Sequence, residues 1–277
     1  MNKNFQLICS DVDGTLLNKE RQLSAITKST IAKFGAHLPF VFISSRMPKA
    51  IAHLQASTQT LHFPIVAYNG GLIKNRDEVL FSNPISLQLT EQVIQLNSDI
   101  GVHLSLYNED EWFVPEDDFW ANREANNTQV TPEVLTNEAV LKDWRNYNKG
   151  AHKIMCMGEE NKVEALYQLL KTSLGDQLHL YRSKPTYIEI APKEISKLTA
   201  IKHLLTHLYN FSENQVVAYG DNYNDIELLE GVGWGVAVEN AKPEVKQIAN
   251  EITRTSHDDG VALSIQELFK EFFGNQA

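Results

Sequence analysis

Two carboxylates stand two residues apart in Asp11-Val12-Asp13-Gly14-Thr15-Leu16-Leu17, directly after the apolar run Phe5-Gln6-Leu7-Ile8-Cys9-Ser10. Such a pair can divide a two-step transfer between them. One attacks an electrophile, while the other gives a proton to the leaving group and later takes one from water. Carboxylates this close repel one another unless a cation neutralises them, and a hard, oxygen-binding ion such as Mg²⁺ suits them. Asp221, after the run Gln215-Val216-Val217-Ala218-Tyr219-Gly220, supplies a third carboxylate and Asp225 a fourth. Gly14 permits a tight turn that can aim backbone N–H groups at an anion. An Asp-x-Asp-Gly string alone is equally well read as a solvated turn with a helix cap. A second acidic strand end, Gly220-Asp221-x-x-Asn224-Asp225, weakens that reading, because two acidic clusters converging on one sheet edge have no obvious structural purpose.

These groups need strands to deliver them. The opening run reads as a buried strand, followed by a helix that Ser24 can cap and that carries Ile26, Ile31 and Phe34 at roughly helical spacing. Leu38–Ile43 then ends in Ser44-Ser45-Arg46, a helix follows near Pro48–Ser57, and Pro64–Tyr68 ends in Asn69-Gly70-Gly71. Strand alternating with helix, with polar residues at each strand end, describes a parallel sheet wound by helices, whose carboxyl edge is where ligands bind. A hairpin with its turn at Asn75–Glu78 leads out of that sheet.

From Pro84 to Ala191 strict alternation is lost. A helix (Thr90–Ser98), two strands (His103–Tyr107, Trp112–Val114), a polar and irregular stretch (Glu116–Asn127), a strand (Lys153–Met157), a helix (Glu160–Leu174) and two more strands (His179–Arg182, Tyr187–Ile190) are expected there. Trp112, Phe113, Phe119, Trp120, His152 and Lys153 are candidate substrate contacts, though packing is the commoner role for such residues. The acidic stretches Glu109–Glu111 and Glu116–Asp118 read as a solvated face. The parallel rhythm resumes with the helix Ser196–Tyr209, the strand ending at Asp221, the helix Asp225–Glu230, the strand Trp234–Val238 and helices near Pro243–Asn250 and Ile265–Phe273. The expected fold class is therefore α/β: a doubly wound, mainly parallel, Rossmann-like core (1–83 and 192–277) interrupted by an α+β domain (84–191).

Composition sets the surroundings. The chain has 277 residues, 43% of them hydrophobic, enough for one large domain or two smaller ones. No apolar stretch approaches the roughly 18 residues of a membrane span, and the polar start Met1-Asn2-Lys3-Asn4 lacks a signal-peptide pattern, so a cytoplasmic location is expected. The net charge of −10 and the lack of a basic run argue against a nucleic-acid partner. It does not argue against an anionic substrate, since a local cation cluster can reverse the field in one cleft. Cys9 and Cys156 form neither a disulfide framework nor a metal-ligand spacing and read as reduced core residues.

The motifs together resemble those of the haloacid dehalogenase superfamily, in its Cof-type phosphatase branch with a class IIB cap. Asp11–Leu17 is similar to the first motif, Ser44-Ser45-Arg46 to the Thr-Gly-Arg second motif, Ser196-Lys197 to the Ser-Lys third and Gly220–Asp225 to the fourth. Asn69-Gly70-Gly71 and Asp258-Asp259-Gly260-Val261-Ala262 extend the likeness nearly end to end.

The resemblance implies an Mg²⁺-dependent phosphatase acting on small phosphomonoesters, such as sugar phosphates or phosphorylated cofactors, as a monomer or weak homo-oligomer. Asp11 would be the nucleophile that becomes an aspartyl phosphate, and Asp13 the general acid and base. Mg²⁺ would be held by Asp11, the Asp13 carbonyl and Asp221, with Asp225 in support. The phosphoryl oxygens would meet the Val12 N–H, Ser44, Ser45, Lys197 and Asn224, with Arg46, Asn69 and Gly70 as further substrate contacts, and the cap would read the leaving group. Lys197 at the start of a helix is otherwise odd, because cations favour the opposite end. The chain departs from the pattern at Ser45 (usually Gly), at Leu198 (usually Gly) and in Ala237-Val238-Glu239-Asn240-Ala241 (usually Ala-Met-Gly-Asn-Ala). A phosphomutase using the same carboxylate pair is the enzymatic alternative. A silent binding or receiver-like module is a second, which Asp13 and the long insert disfavour.

Overall fold

Four short, fully buried strands carry the centre of the larger sheet, and because they run parallel their polar carboxyl ends face one edge. The computed structural model describes residues 4–273, so the first three residues of the polar start lie outside the described chain. Along the chain, β1 (Leu7–Ser10), α1 (Ala25–Gly35), β2 (Phe40–Ile43), α2 (Lys49–Ser57), β3 (Ile65–Ala67), β4 (Leu72–Asn75) and β5 (Glu78–Ser82) come first. Next are α3 (Leu87–Asn97), β6 (His103–Asn108), β7 (Glu111–Val114), α4 (Phe119–Thr128), β8 (Glu133–Val134), α5 (Asn137–Tyr147), β9 (Lys153–Met157), α6 (Glu160–Leu174), β10 (Leu178–Lys184) and β11 (Tyr187–Pro192). The last group is α7 (Lys197–Leu204), β12 (Val216–Gly220), α8 (Ile226–Gly231), β13 (Trp234–Val238), α9 (Pro243–Ile248), β14 (Glu251–Thr253), α10 (Gly260–Leu268) and α11 (Lys270–Phe273).

These elements form two compact units, one running up to Leu80 and on from Ser196, the other Phe81–Ile195. In the first, the strand order is β14-β13-β12-β1-β2-β3-β4-β5. Pairing is parallel from β14 through β3 and antiparallel between β3 and β4. The chain winds outward from β1 through β2 and β3 on one side and from β12 through β13 and β14 on the other. The winding reverses between β1 and β12, the crevice where doubly wound sheets bind ligands.

The second unit holds a six-stranded sheet in the order β10-β11-β9-β6-β7-β8, antiparallel except between β7 and β8. Its core packs Leu104, Leu106, Ile154, Cys156, Ile188 and Ile190 of the sheet against Val93 of α3, Trp144 of α5 and Leu166 and Leu170 of α6.

Three local expectations change. Ile31 and Phe34 of α1 are buried as expected, but Ile26 is half exposed, and Thr27 and Thr30 complete the buried stripe in its place. The stretch expected to be irregular contains α4. Asp118 caps that helix by accepting a hydrogen bond from the Ala121 N–H at 2.8 Å, and the cap outweighs a weakly helical composition. The acidic stretches are also not simply a solvated face, because Asp118 pairs with His103 and Glu111 with Lys149. Helix α5, capped by Thr136, has no counterpart in the sequence reading.

Candidate active site

Each strand end at the crevice contributes one piece. Asp11 follows β1, Ser44-Ser45-Arg46 follows β2, Asn69-Gly70 follows β3 and Asp221–Asp225 follows β12. Lys197 is the first residue of α7. Ser196 caps that helix, accepting from the Thr199 N–H at 3.2 Å, while the Thr199 hydroxyl accepts from the Ser196 N–H at 2.9 Å. A cation at this end opposes the helix dipole, and its partners resolve the conflict. The Lys197 ammonium is fully buried and donates to Asp11 Oδ1 at 2.5 Å and Asp225 Oδ1 at 2.6 Å.

Asp225 turns its second oxygen to the backbone, accepting from the Asp221 and Asn222 N–H groups at 3.0 Å each. Asp221 accepts from the Thr15 hydroxyl at 3.0 Å. Oxygens of Asp11, Asp221 and Asp225 all lie within 4.8 Å of one another. Gly14 makes room for this approach: with φ +85°, it brings its backbone so close that a Cβ would sit 2.4 Å from Asp221 Oδ2.

Three carboxylates face a single ammonium away from water, and burial together with that imbalance sets the proton affinities. Burial pushes Asp11 well above the ordinary carboxylate range; Lys197 opposes this, and the charges of Asp225 and Asp221 reinforce it. Burial and Asp225 raise Asp221 to about 6. Burial works against the charge of Lys197, but Asp11 and Asp225 outweigh it and hold the ammonium above the ordinary lysine value.

Asp13 stands apart from this cluster. Its half-exposed carboxylate receives a two-pronged contact from Arg46, Nε to Oδ2 at 2.7 Å and Nη2 to Oδ1 at 2.8 Å, and a third bond from Arg21 Nη2 at 2.9 Å. Such forks are among the stronger charge-assisted hydrogen bonds. Burial works against ionisation of Asp13, but the hydrogen bonds and charges of Arg46, with those of Arg21 and Lys197, keep it below the usual range.

The remaining residues that the motifs single out hold the edge together. Val12 is buried beside Asp11, and Ser45 is partly exposed at the end of β2. Ser44 is buried, with its hydroxyl accepting from the Arg46 N–H at 3.2 Å. Asn69, at φ +55°, accepts from the Asn224 amide at 3.0 Å and so links the ends of β3 and β12. At Gly70 a Cβ would sit 2.4 Å from the Ser196 carbonyl oxygen, so this glycine lets the loop pack against the residue that precedes Lys197.

Thr15, Arg21 and Asn240 were not singled out as site residues. Thr15 and Asn240 lie within the quoted motifs, whereas Arg21 carries no motif signal. Asn240 donates to the Gly14 carbonyl at 2.7 Å and accepts from the Ser256 N–H at 2.8 Å, fastening a distant loop beside the carboxylates.

In the second unit most of the candidate contacts pack within their own fold. Trp112 stacks on Tyr107 at 5.4 Å, Phe113 meets the edge of Trp144, and Trp120 packs against Tyr187. His152 is buried with Nε2 3.0 Å from the Ser82 hydroxyl, and Lys153 lies over the Tyr107 ring at 4.4 Å. Phe119 is largely exposed.

A buried lysine bridging two carboxylates at the switch point, with the second carboxylate of the Asp-x-Asp pair held outside the cluster by Arg46 and Arg21, agrees with the comparisons. The sequence profile of the haloacid dehalogenase-like hydrolases matches residues 8–265. The chain belongs to that family. Within it the chain is a Cof-type hydrolase, an enzyme with the α/β core described above. A Haemophilus influenzae protein is 30% identical to it over 274 residues, covering 96% of this chain and 99% of that one. The 5-amino-6-(5-phospho-D-ribitylamino)uracil phosphatase of Bacillus subtilis is 27% identical over 270 residues, covering 95% and 97%. A haloacid dehalogenase-like hydrolase from Bacteroides thetaiotaomicron superposes with a TM-score of 0.88 at 26% identity, covering 96% of this chain and 100% of that one. No helix among the described residues is long and apolar enough to cross a membrane.

Proposed function

We propose that this hydrolase is an Mg²⁺-dependent phosphatase that cleaves small phosphomonoesters through an aspartyl phosphate on Asp11. The observation that carries this reading is the buried Lys197 ammonium at 2.5 Å from Asp11, which holds one carboxylate at the crevice while Asp13 stays outside the cluster. In the first step an Asp11 oxygen attacks phosphorus and the bond to the leaving oxygen breaks. The departing alkoxide takes its proton from Asp13. In the second step water attacks phosphorus, gives its proton to Asp13 and releases inorganic phosphate and the Asp11 carboxylate.

The guanidiniums of Arg46 and Arg21 favour ionised Asp13, the form that takes the water proton. A phosphate dianion entering beside it raises its proton affinity by like-charge repulsion, which favours the acid form for the first step. Countercharge for the phosphoryl oxygens comes from Lys197, with the Val12 N–H, Ser44, Ser45 and Asn224 at hand, as loose phosphoryl-transfer transition states require.

The donor set fits a hard divalent cation. Asp11, Asp221 and Asp225 crowd three carboxylates around one ammonium; burial, reinforced by their mutual repulsion, raises the proton affinities of Asp11 and Asp221, and a divalent ion relieves both. Asp11, the Asp13 carbonyl and Asp221 would hold it, with Asp225 in support, and when bound it would supply further countercharge to the phosphoryl group. The Bacillus subtilis relative, named for a phosphorylated ribitylamino compound, favours phosphorylated cofactor precursors or sugar phosphates as the substrate class.

The test is a panel of phosphorylated metabolites offered with Mg²⁺ and after chelation. Release of inorganic phosphate that stops on chelation is expected. A rearranged phosphate ester without free phosphate would make the protein a mutase, and chelator-insensitive release would remove the cation from the account.

A further inference from the structure

Outside the carboxylate cluster, on the exposed side of Asp13, lies a cleft of about 380 Å³ with Leu17 in its wall. Its charged lining consists of Asp13, Lys19, Arg21 and His257. The one carboxylate among them is already matched by the Arg46 fork. The two cations and a histidine that remain stand out on a chain whose net charge is −10. Arg21 spends only Nη2 on Asp13, and Lys19 is exposed with no ion-pair partner among the described residues.

The loop that presents these groups is built rather than slack. Asn18 and Gln22 close it with a backbone bond at 3.0 Å and a side-chain bond at 2.9 Å. Within that turn Arg21 takes the left-handed conformation at φ +58°, which an arginine rarely adopts and which surrounding structure must enforce. His257 comes from 236 residues further on, the difference between 257 and 21. It is brought here because Asn240 ties Ser256 to the Gly14 carbonyl. Ser24 and Thr27 anchor the same segment by donating to Asp259 at 2.5 and 2.9 Å. The neighbouring Asp258 accepts from the Thr255 hydroxyl.

We propose that Lys19, Arg21 and His257 form an anion subsite that receives a second negatively charged group on the leaving portion of the substrate. This rests on the phosphatase reading, in which Asp13 serves the leaving oxygen and so places the leaving portion on this side. The substrate class then narrows to phosphomonoesters that carry a carboxylate or a second phosphate. An incoming anion shares the N–H groups that Arg21 leaves unused. Charge-assisted hydrogen bonds of this kind amount to a preference of about tenfold.

The test compares kcat/KM for 3-phosphoglycerate and glycerol 3-phosphate, which differ by a carboxylate in place of a hydroxymethyl group, in the wild type, Lys19→Glu and His257→Ala. About a tenfold preference for the carboxylated ester, reduced in both variants, is expected. Equal use by the wild type, or a preference unchanged in Lys19→Glu, overturns the subsite. If the wild type hydrolyses neither ester, calorimetric binding of 3-phosphonopropionate against propylphosphonate decides the subsite alone, and the metabolite panel, not these two esters, judges the phosphatase reading. Tighter binding of the carboxylated phosphonate by the wild type but not by Lys19→Glu upholds it, and equal binding removes it. If Lys19→Glu weakens binding of inorganic phosphate but leaves the ester preference intact, the cleft takes free anions and the proposal about substrate fails.

Discussion

The two units bury cations in different ways, and the contrast separates chemistry from packing. In the parallel-sheet unit the fully buried Lys197 faces three clustered carboxylates, with more negative charge than one ammonium can neutralise. In the inserted unit Lys153 is equally removed from water but lies over the face of Tyr107. His103 is satisfied there by Asp118 and Ser105, both at 2.9 Å. Charge left over at a strand edge asks for a ligand, whereas polar groups balanced within a sheet hold that sheet together.

The largest effect that can break this contrast is at Asp11. Asp11→Asn should reduce phosphate release from every ester by more than about 10³-fold, read as steady-state release of inorganic phosphate. Lys197→Met should lower kcat/KM on all esters by about 10²- to 10³-fold, since it removes countercharge from the phosphoryl group itself. It should also lower the melting temperature, because two buried carboxylates lose their partner. A loss confined to one substrate would move Lys197 from the chemistry to specificity.

Asp13→Asn is expected to be smaller and uneven. Release of a poor alkoxide leaving group should slow about 10²-fold or more and that of a nitrophenolate much less. Equal losses would deny Asp13 a proton role.

The surroundings of Asp221 and of His152 should also respond to pH in opposite directions. Asp221 binds its proton more tightly when folded, up to about 6 from 3.8, so without a cation its contribution to local stability is lost as pH rises through that interval. Burial lowers His152 to about 4 from 6.5, so its contribution is full above 6.5 and is lost as pH falls toward 4. Hydrogen exchange of β1 and β12 amides against β6 and β9 amides, corrected for intrinsic rates, reads the two trends separately. Added Mg²⁺ should flatten the first and leave the second. Parallel trends in the two units would erase the contrast.

How much of this was legible in the sequence follows the same division. The core strands could be read because each is a short apolar run ending in polar residues, and the Asp11 and Asp221 clusters because carboxylates rarely sit at two strand ends by accident. The Arg21 contact with Asp13 could not be read, since it depends on a left-handed turn that nothing in Asn18–Gln22 announces. In the inserted unit α4 was missed because it buries Ala121, Glu124 and Thr128 rather than large apolar residues and leans on its Asp118 cap, whereas α5 buries Val140, Leu141 and Trp144 at helical spacing, a period in the sequence that was passed over. The pairing of His103 with Asp118 joins residues whose partnership only the fold creates.

The central claim is that Asp11 itself carries the phosphoryl group. Mixing enzyme with substrate and Mg²⁺, quenching in acid and reducing with borohydride converts an aspartyl phosphate to homoserine, which peptide mass spectrometry can place in the chain. Homoserine at position 11 is expected, formed only with substrate and absent from Asp11→Asn. Steady phosphate release with an unmodified residue at that position, or with the label on another carboxylate, would contradict the account.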